Sequence, residues 1–568
     1  MSAVRCSFLA LLGFVAVHVA TDASAATLYV GAASCDITPD QPVFLSGQFN
    51  ARVSQGVSCP VTANIVALES RDGDKALEQA IVISMDTVVI YDPFFKVFKE
   101  VMCKALPEVG FSKVIIAATH THSAPCQNDG QYASDDPHVM QPSKYNAFAA
   151  ARISAAAAAA WKSRRPAKFS YGLGHAVVAY NRRAVYADGT AVMYGKTNDR
   201  NFRAIEGVED HDVNSMFFWD TNDKLLAMLV NVSCPSQEVE NSNTIDADYW
   251  GEVRKSLHQA HGEDVVVVGL CGAAGDLSPH LRYRQAADDR MRELRKLSRN
   301  QEIARRIVQG VEEVYEVVKD AKSADVVVKH QAKVVELPER LVTEAEYKSC
   351  KAEAEKLLKR AKETGDSGAR GRGNWNARIA ARYEKLAENP HPLFSTPVNV
   401  LRIGDAVICT NAFELYTDFG IQMKAQQGKL DAGCPIGERR WNVSSVGASR
   451  EGRRLRRRHP EQHGRARRRP GARRRDAEDG QRYVVIHPSS ATGARSRTNN
   501  SNLSGGNHVP TCTVNADDDF IAGRVGRGPN ARQEAILRRR GYQQYHALAG
   551  GRAGGQLRHS TAGQARPR

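Results

Sequence analysis

Two short apolar, β-branched runs, each ending abruptly in a polar segment, constrain this chain more than any other feature. Val114-Ile115-Ile116 leads into Thr119-His120-Thr121-His122-Ser123-Ala124-Pro125. Some 150 residues on, Val265-Val266-Val267-Val268 leads into Gly272-Ala273-Ala274-Gly275-Asp276-Leu277-Ser278-Pro279. Runs of this kind read as strands buried in a sheet, and the loops that leave such strands are where α/β proteins place their chemistry. The first loop offers two imidazoles to one cavity. The second offers a hydroxyl beside a carboxylate on a Gly-rich turn. Together they point to metal-dependent hydrolysis.

The rest of the body fits that frame. Strand-like runs recur at Leu28-Tyr29-Val30, Ile65-Val66-Ala67-Leu68, Ala80-Ile81-Val82-Ile83 and Met228-Leu229-Val230, interleaved with a helical stretch at 145–161 whose alanines suit close packing. This alternation predicts an α/β fold, a mixed β-sheet core covered by helices. Residues 281–390 are charged and read as a helical insertion. Ile303, Ile307, Val311, Val314 and Val318 line one helix face, and Thr343-Glu344-Ala345-Glu346 is a capping box opening another helix. The Gly- and Arg-rich stretch 364–376 reads as a mobile loop, and 398–403 and 406–410 return to strand before Asn411-Ala412-Phe413-Glu414.

Charge divides the chain sharply. Of 78 Lys and Arg and 63 Asp and Glu, residues 426–568 hold 28 Arg, one Lys and 11 acids, a net of +18, which leaves 49 basic against 52 acidic residues upstream, a net of −3. The excess that would suggest nucleic-acid binding therefore belongs to a tail without apolar periodicity, and nucleic acid is disfavoured as a partner of the body. We read the domains as a signal peptide at 1–25, a catalytic domain at 26–425 and a basic, low-structure tail at 426–568 produced by out-of-frame translation. Arg5, the apolar stretch 9–20 and Ala23-Ser24-Ala25 supply the signal and its cleavage site near Ala25, implying a secreted or periplasmic protein. The competing reading of the tail is a disordered arm that contacts anionic surfaces. Eleven cysteines lack the spacing of a zinc ribbon or a disulfide scaffold, and Cys271 and Cys409 end apolar runs as small hydrophobes would.

His120 and His122, one residue apart, can turn two neutral imidazoles toward one cation, as zinc prefers. At this point the sequence resembles a known family. Gly31-Ala32-Ala33 with Asp36-Ile37-Thr38-Pro39, the His120 loop, Asn181-Arg182, Asp246-Ala247-Asp248-Tyr249-Trp250-Gly251 and the Ser278 loop look, in order, like the catalytic domain of neutral/alkaline, non-lysosomal ceramidases, over residues 28–424. The resemblance implies a zinc amidase that cleaves the N-acyl bond of ceramide or a related N-acyl lipid, with peripheral membrane contact. It makes His120 and Glu414 zinc ligands and Ser278 the catalytic nucleophile. His122, Arg182 and Gly47 become contacts for the polar head of the substrate.

Two positions depart from the family pattern. Cys234-Pro235-Ser236-Gln237 stands where the family has a zinc-binding His before Pro, so Cys234 takes the place of a third metal ligand. A later tyrosine ligand is missing, although a one-nucleotide shift lets 441–446 encode Gly-Thr-Tyr-Leu-Pro. The altered ligand set keeps open a binding protein on the same scaffold, without catalysis. Resequencing the gene across the codons for 424–440 is expected to find one missing or extra nucleotide, and an intact frame there would sink the out-of-frame reading.

Overall fold

A computed structural model describes residues 26–132, 136–426 and 441–443. The signal-like leader, the shifted-frame tyrosine and all of the Arg-rich tail but the short strand Trp441–Val443 lie outside the described residues. The principal element is an eight-stranded mixed sheet in the order Val266–Cys271, Leu225–Val232, Asp212–Asp220, Arg165–His175, Thr27–Asp36, Thr62–Asp72, Lys75–Met85, Val114–Ala118. Its middle is antiparallel, while each edge closes with one parallel pair: Lys75–Met85 beside Val114–Ala118, and Leu225–Val232 beside Val266–Cys271. The two chemistry-bearing loops leave the C-terminal ends of the two edge strands.

Strand residues alternate between two buried faces, as the period-2 pleat requires. Val66, Leu68 and Val82 share an inner cluster with Met216, Phe218, Ala227, Leu229, Val266 and Val268 from the opposite half of the sheet. Their neighbours Ile65, Ala67, Ile81 and Ile83 instead pack outward on helices Asp92–Ala105 and Pro142–Lys162. On the other half Phe217, Trp219, Met228 and Val230 pack on Tyr249–His261 and Arg299–Val318. The sheet thus folds back on itself, its two halves face to face between two helical layers. The Ser84 hydroxyl, which donates to the Gly269 carbonyl, joins one edge to the other.

The amphipathic face Ile303, Ile307, Val311, Val314 and Val318 is buried in full, and Thr343 and Glu346 form the reciprocal capping box. Two expectations for 281–390 change. Its helices are interrupted by the strand Val328–Pro338, which pairs with Leu393–Ile403. The stretch 364–376 is no loop: Gly365 ends one helix in the left-handed conformation, and Asp366 caps the next, Ser367–Lys385, by accepting from Ala369 N at 2.9 Å. Its glycines serve close approach, since a Cβ at Gly371 would strike the Phe49 carbonyl and one at Gly373 the Leu358 side chain. The glycine content that suggested mobility is used here for tight packing.

Gly31 shows the same economy in the core. Any side chain there would run into the Ala160 carbonyl of the Ala-rich helix. Gly31→Ala should lower stability by about 1–3 kcal/mol through overpacking, read as an earlier urea midpoint with an unchanged m-value, and an unshifted midpoint would contradict this close packing.

Candidate active site

The two edge loops meet because the halves of the sheet pack together. Crossed backbone hydrogen bonds join the His120 loop to the segment that follows Leu225–Val232: His122 N to Ser236 O and Ser236 N to Thr119 O, both 3.3 Å. Below the junction Asp86, fully buried, accepts from Thr119 Oγ1 at 3.1 Å and Arg254 Nη2 at 2.5 Å. This ion pair anchors the first loop to the helix that follows Asp248. His120 itself has φ 71°, a left-handed conformation that costs a non-glycine residue energy and aims its ring into the site.

The imidazoles converge. His120 Nε2 and His122 Nε2 lie 3.2 Å apart, and His120 Nε2 stands 3.9 Å from Glu414 Oε1. His120 Nδ1 is 2.8 Å from the Val88 carbonyl. Burial, then the charges of His122 and Arg182, holds its pKa well below the ordinary imidazole range. His122 Nδ1 is 3.1 Å from Glu240 Oε2, an ion-pair contact whose alignment falls short of a hydrogen bond. Burial works against ionisation of Glu240, but His122, His280 and Arg182 outweigh it and depress its pKa. For Glu414 burial prevails and raises the pKa against the pull of Arg182 and His122.

The second half of the site is built on the Gly-rich turn. Gly275 N donates to Leu415 O at 2.8 Å, and a Cβ on Gly275 would collide with the Glu414 carbonyl, so the glycine lets the Glu414 segment close on the loop. Asp276 is an anchor: its carboxylate accepts from Thr417 N and Oγ1 and from Asn181 Nδ2 at 2.7–2.9 Å. Ser278, fully buried, accepts from His280 N at 3.2 Å and faces Tyr194 OH at 3.5 Å. Arg182, also buried, donates to Gly275 O at 2.7 Å and Tyr194 OH at 3.0 Å. Its burial opposes charge, but Tyr194 and Glu414 more than restore it. Gly47, at φ 100°, lies flat against the His122 ring, where a Cβ would come within 2.5–2.7 Å of the ring atoms.

His120, His122, Glu414, Arg182, Gly47 and Ser278 therefore belong to one connected region. Cys234 does not turn its thiol into it. The Sγ lies 3.6 Å from the Val178 carbonyl inside an apolar cluster, and burial, then Cys271 and Asp248, raises its pKa well above the usual thiol range. Four participants escaped the sequence reading. Glu240 links His122 to His280, whose Nδ1 is 3.8 Å from Glu240 Oε1. Gln237 donates to Tyr194 OH at 2.8 Å. Glu238 and Glu240 are carboxylates a few residues after Cys234, and nothing local singles out His280 or Tyr194.

The sequence matches no protein-family model and no curated protein. The fold is shared with solved neutral ceramidases. It is similar to the crystal structure of neutral ceramidase from Pseudomonas aeruginosa at 16% identity, over 75% of this chain and 68% of that one, with a TM-score of 0.50. It is similar also to a ceramidase complexed with C2, at 15% identity over 75% and 69% of the two chains, with a TM-score of 0.51. Among the described residues no helix is long and apolar enough to cross a membrane.

The zinc implied by the family resemblance meets a mixed donor set. Two imidazole nitrogens facing one another, with a buried carboxylate beside them, fit a cation. Glu414 stops at 3.9 Å, so among the described residues no cluster of three donors is complete, and the Cys234 thiol does not fit at all.

Burial pushes Asp248 up to about 7 from an ordinary 3.8 while its carboxylate accepts from Val239 N and Tyr249 N. A carboxyl raised on folding binds its proton more tightly in the native state. Its stabilising contribution is thus complete below the unfolded value and is lost as pH rises toward 7. The stability of the native protein relative to Asp248→Asn should fall between about pH 4 and 7 and level off above, and urea midpoints that differ by a constant across that window would refute the shift.

Proposed function

We propose that the chain is a metal-dependent hydrolase that cleaves the N-acyl amide of ceramide or a related N-acyl lipid. One observation carries the reading: on a fold shared with neutral ceramidases, the two edge-strand loops, with the segments that carry Arg182 and Glu414, bring His120, Glu414, Arg182 and Ser278 into one buried region. Each of these residues is a position that the family resemblance assigns to the reaction.

His120 and Glu414 would hold the metal, which when bound polarises the scissile carbonyl and offsets charge developing on its oxygen. Ser278 supplies the nucleophilic oxygen. Its Oγ already accepts from the His280 amide, and Tyr194 OH donates toward it from the other side, so its lone pairs are oriented before substrate arrives. Arg182, fixed on Gly275 O and Tyr194 OH, places a permanent cation beside the same point, where burial strengthens its effect on an oxyanion. The buried setting excludes bulk water, so the donors need no reorganisation as charge moves.

A second reading follows from Cys234. With its thiol committed to the core and the later tyrosine missing, the site keeps two of the four ligands that the resemblance implies, His120 and Glu414, which favours a lipid-binding protein that has lost turnover. The two separate cleanly in a fluorogenic N-acyl sphingosine assay with metal analysis. Ser278→Ala should cut hydrolysis by at least about 10³-fold with an unchanged melting temperature and unchanged metal content, and His120→Ala should lose metal and activity together. Full activity in either variant would reject the mechanism, and lipid affinity without metal or turnover would favour the binding protein.

A further inference from the structure

The helix Gln285–Leu294 is built inside out. It opens just after the Ser278-Pro279-His280 segment, and none of its ten residues is buried. Ala287, Met291 and Leu294 follow one another at four- and three-residue spacing and so share one face, with Tyr283 just ahead of them. That face looks outward: Leu294 is 63% exposed, Met291 43% and Tyr283 41%. The charged side chains take the opposite face. Asp288, only 12% exposed, accepts from Arg306 Nη2 of the helix Arg299–Val318 at 3.0 Å and from Arg284 Nε at 2.9 Å. Arg292, 21% exposed, donates to the Leu297 carbonyl at 3.0 Å. A surface helix ordinarily turns its apolar stripe to the core and its charges to water. Singly scattered apolar residues on a surface need no explanation, but a whole helix with its polarity reversed does.

We infer that this helix is a docking face for an anionic lipid surface. Size and charge choose the occupant. A helix of ten residues is about 15 Å long, and its three outward apolar side chains offer far less than the ~800 Å² per partner that a stable protein interface or a second copy would bury. An interfacial helix needs only its own apolar face, sunk to the level of the lipid headgroups. Arg290 stands on the rim of the stripe, three residues after Ala287 and four before Leu294, and Lys296 follows the helix end. Both are exposed and have no ion-pair partner among the described residues, while the exposed acid Glu293 is engaged by Arg292 at 3.4 Å. Cations beside an apolar stripe match anionic headgroups, each strengthening binding roughly fivefold. Docking here would also serve the site. Arg282 Nη2 donates to the Gly195 carbonyl at 2.6 Å and Thr197 Oγ1 to the Arg282 carbonyl at 2.5 Å, so the segment leading into the helix is fastened beside Tyr194, the neighbour of Ser278. That purpose rests on the proposed hydrolase of N-acyl lipids, whereas the docking face itself does not.

The test labels Leu294→Cys in the full-length protein with a solvatochromic dye and titrates it with vesicles of equal parts phosphatidylcholine and phosphatidylglycerol. Val317→Cys, at a site 74% exposed on the helix Arg299–Val318, carries the same dye as control, and the native cysteines contribute equally to both. The dye at 294 should shift to the blue while the dye at 317 stays put. The Arg-rich segment 426–568 could bring the whole chain to an anionic vesicle, but that would shift neither dye. In the 294-labelled chain, Met291→Ser should weaken the lipid titration roughly tenfold, and Arg290→Gln with Lys296→Gln roughly 25-fold at low salt. All of these side chains are exposed, so the melting temperature should hold. A dye at 294 that does not shift, or shifts no more than the one at 317, would overturn the inference. So would self-association of the unlabelled chain that Leu294→Ser abolishes, which would make a second copy the occupant. An equal shift with phosphatidylcholine alone would overturn the choice of an anionic surface. A blue shift at 294 in protein that hydrolyses no N-acyl lipid would keep the docking face and reject the hydrolase. Turnover of detergent-dispersed substrate without the shift would do the reverse.

Discussion

The site depends on one packing event, the closure of the two halves of the sheet upon each other. The inner cluster that joins Val66, Leu68 and Val82 to Phe218, Leu229 and Val268 brings together strand ends about 150 residues apart in sequence. The His120 loop is then tied by the crossed bonds between Thr119, His122 and Ser236 to the segment that follows Leu225–Val232. Burying apolar area at roughly 25 cal/mol per Å² supplies the driving force that the polar site consumes. The site's unfavourable features, a left-handed His120 and a buried carboxylate at Glu414, are held by that closure.

The electrostatics beneath the site follow the same division of labour. Asp86 and Arg254 are both buried, an arrangement whose desolvation cost often cancels its Coulomb gain. Their value lies in geometry. Asp86 also accepts from Thr62 N and Oγ1, so one carboxylate ties an inner strand, the His120 loop and a helix to a single point. Arg182 does comparable work above, bridging the Gly-rich turn to Tyr194.

The sequence was legible wherever a local pattern had one physical solution. β-Branched runs became buried strands, the Ile303 face became a core helix, and Thr343 to Glu346 became a cap, because burial and capping have characteristic spacings. Residues 364–376 misled because glycine serves both flexibility and close packing, and only the presence of Phe49 and Leu358 tells which. In the site, His120 and Ser278 were visible as strand-end chemistry. Tyr194 was not, since its place beside Arg182 comes from the pairing of Arg183–Tyr186 with Ala191–Met193, which no motif in the sequence marks. Glu240 carries no sequence signal of its own, and only the fold sets it against His122.

The loop that carries Cys234 is held without help from its side chain. It is placed by backbone: Ser236 pairs with the His120 loop, and Tyr249 OH donates to the Cys234 carbonyl at 2.6 Å. None of these bonds uses the Cys234 side chain. That side chain is free to serve the core, where a small, polarisable thiol packs with Val178, Val232 and Cys271 at no cost in hydrogen bonds. An imidazole there would have to find hydrogen-bond partners in apolar surroundings. A thiol faces no such demand, and it settles inward. The polar contacts of this region are left to residues on its other side, where Glu240 faces His122.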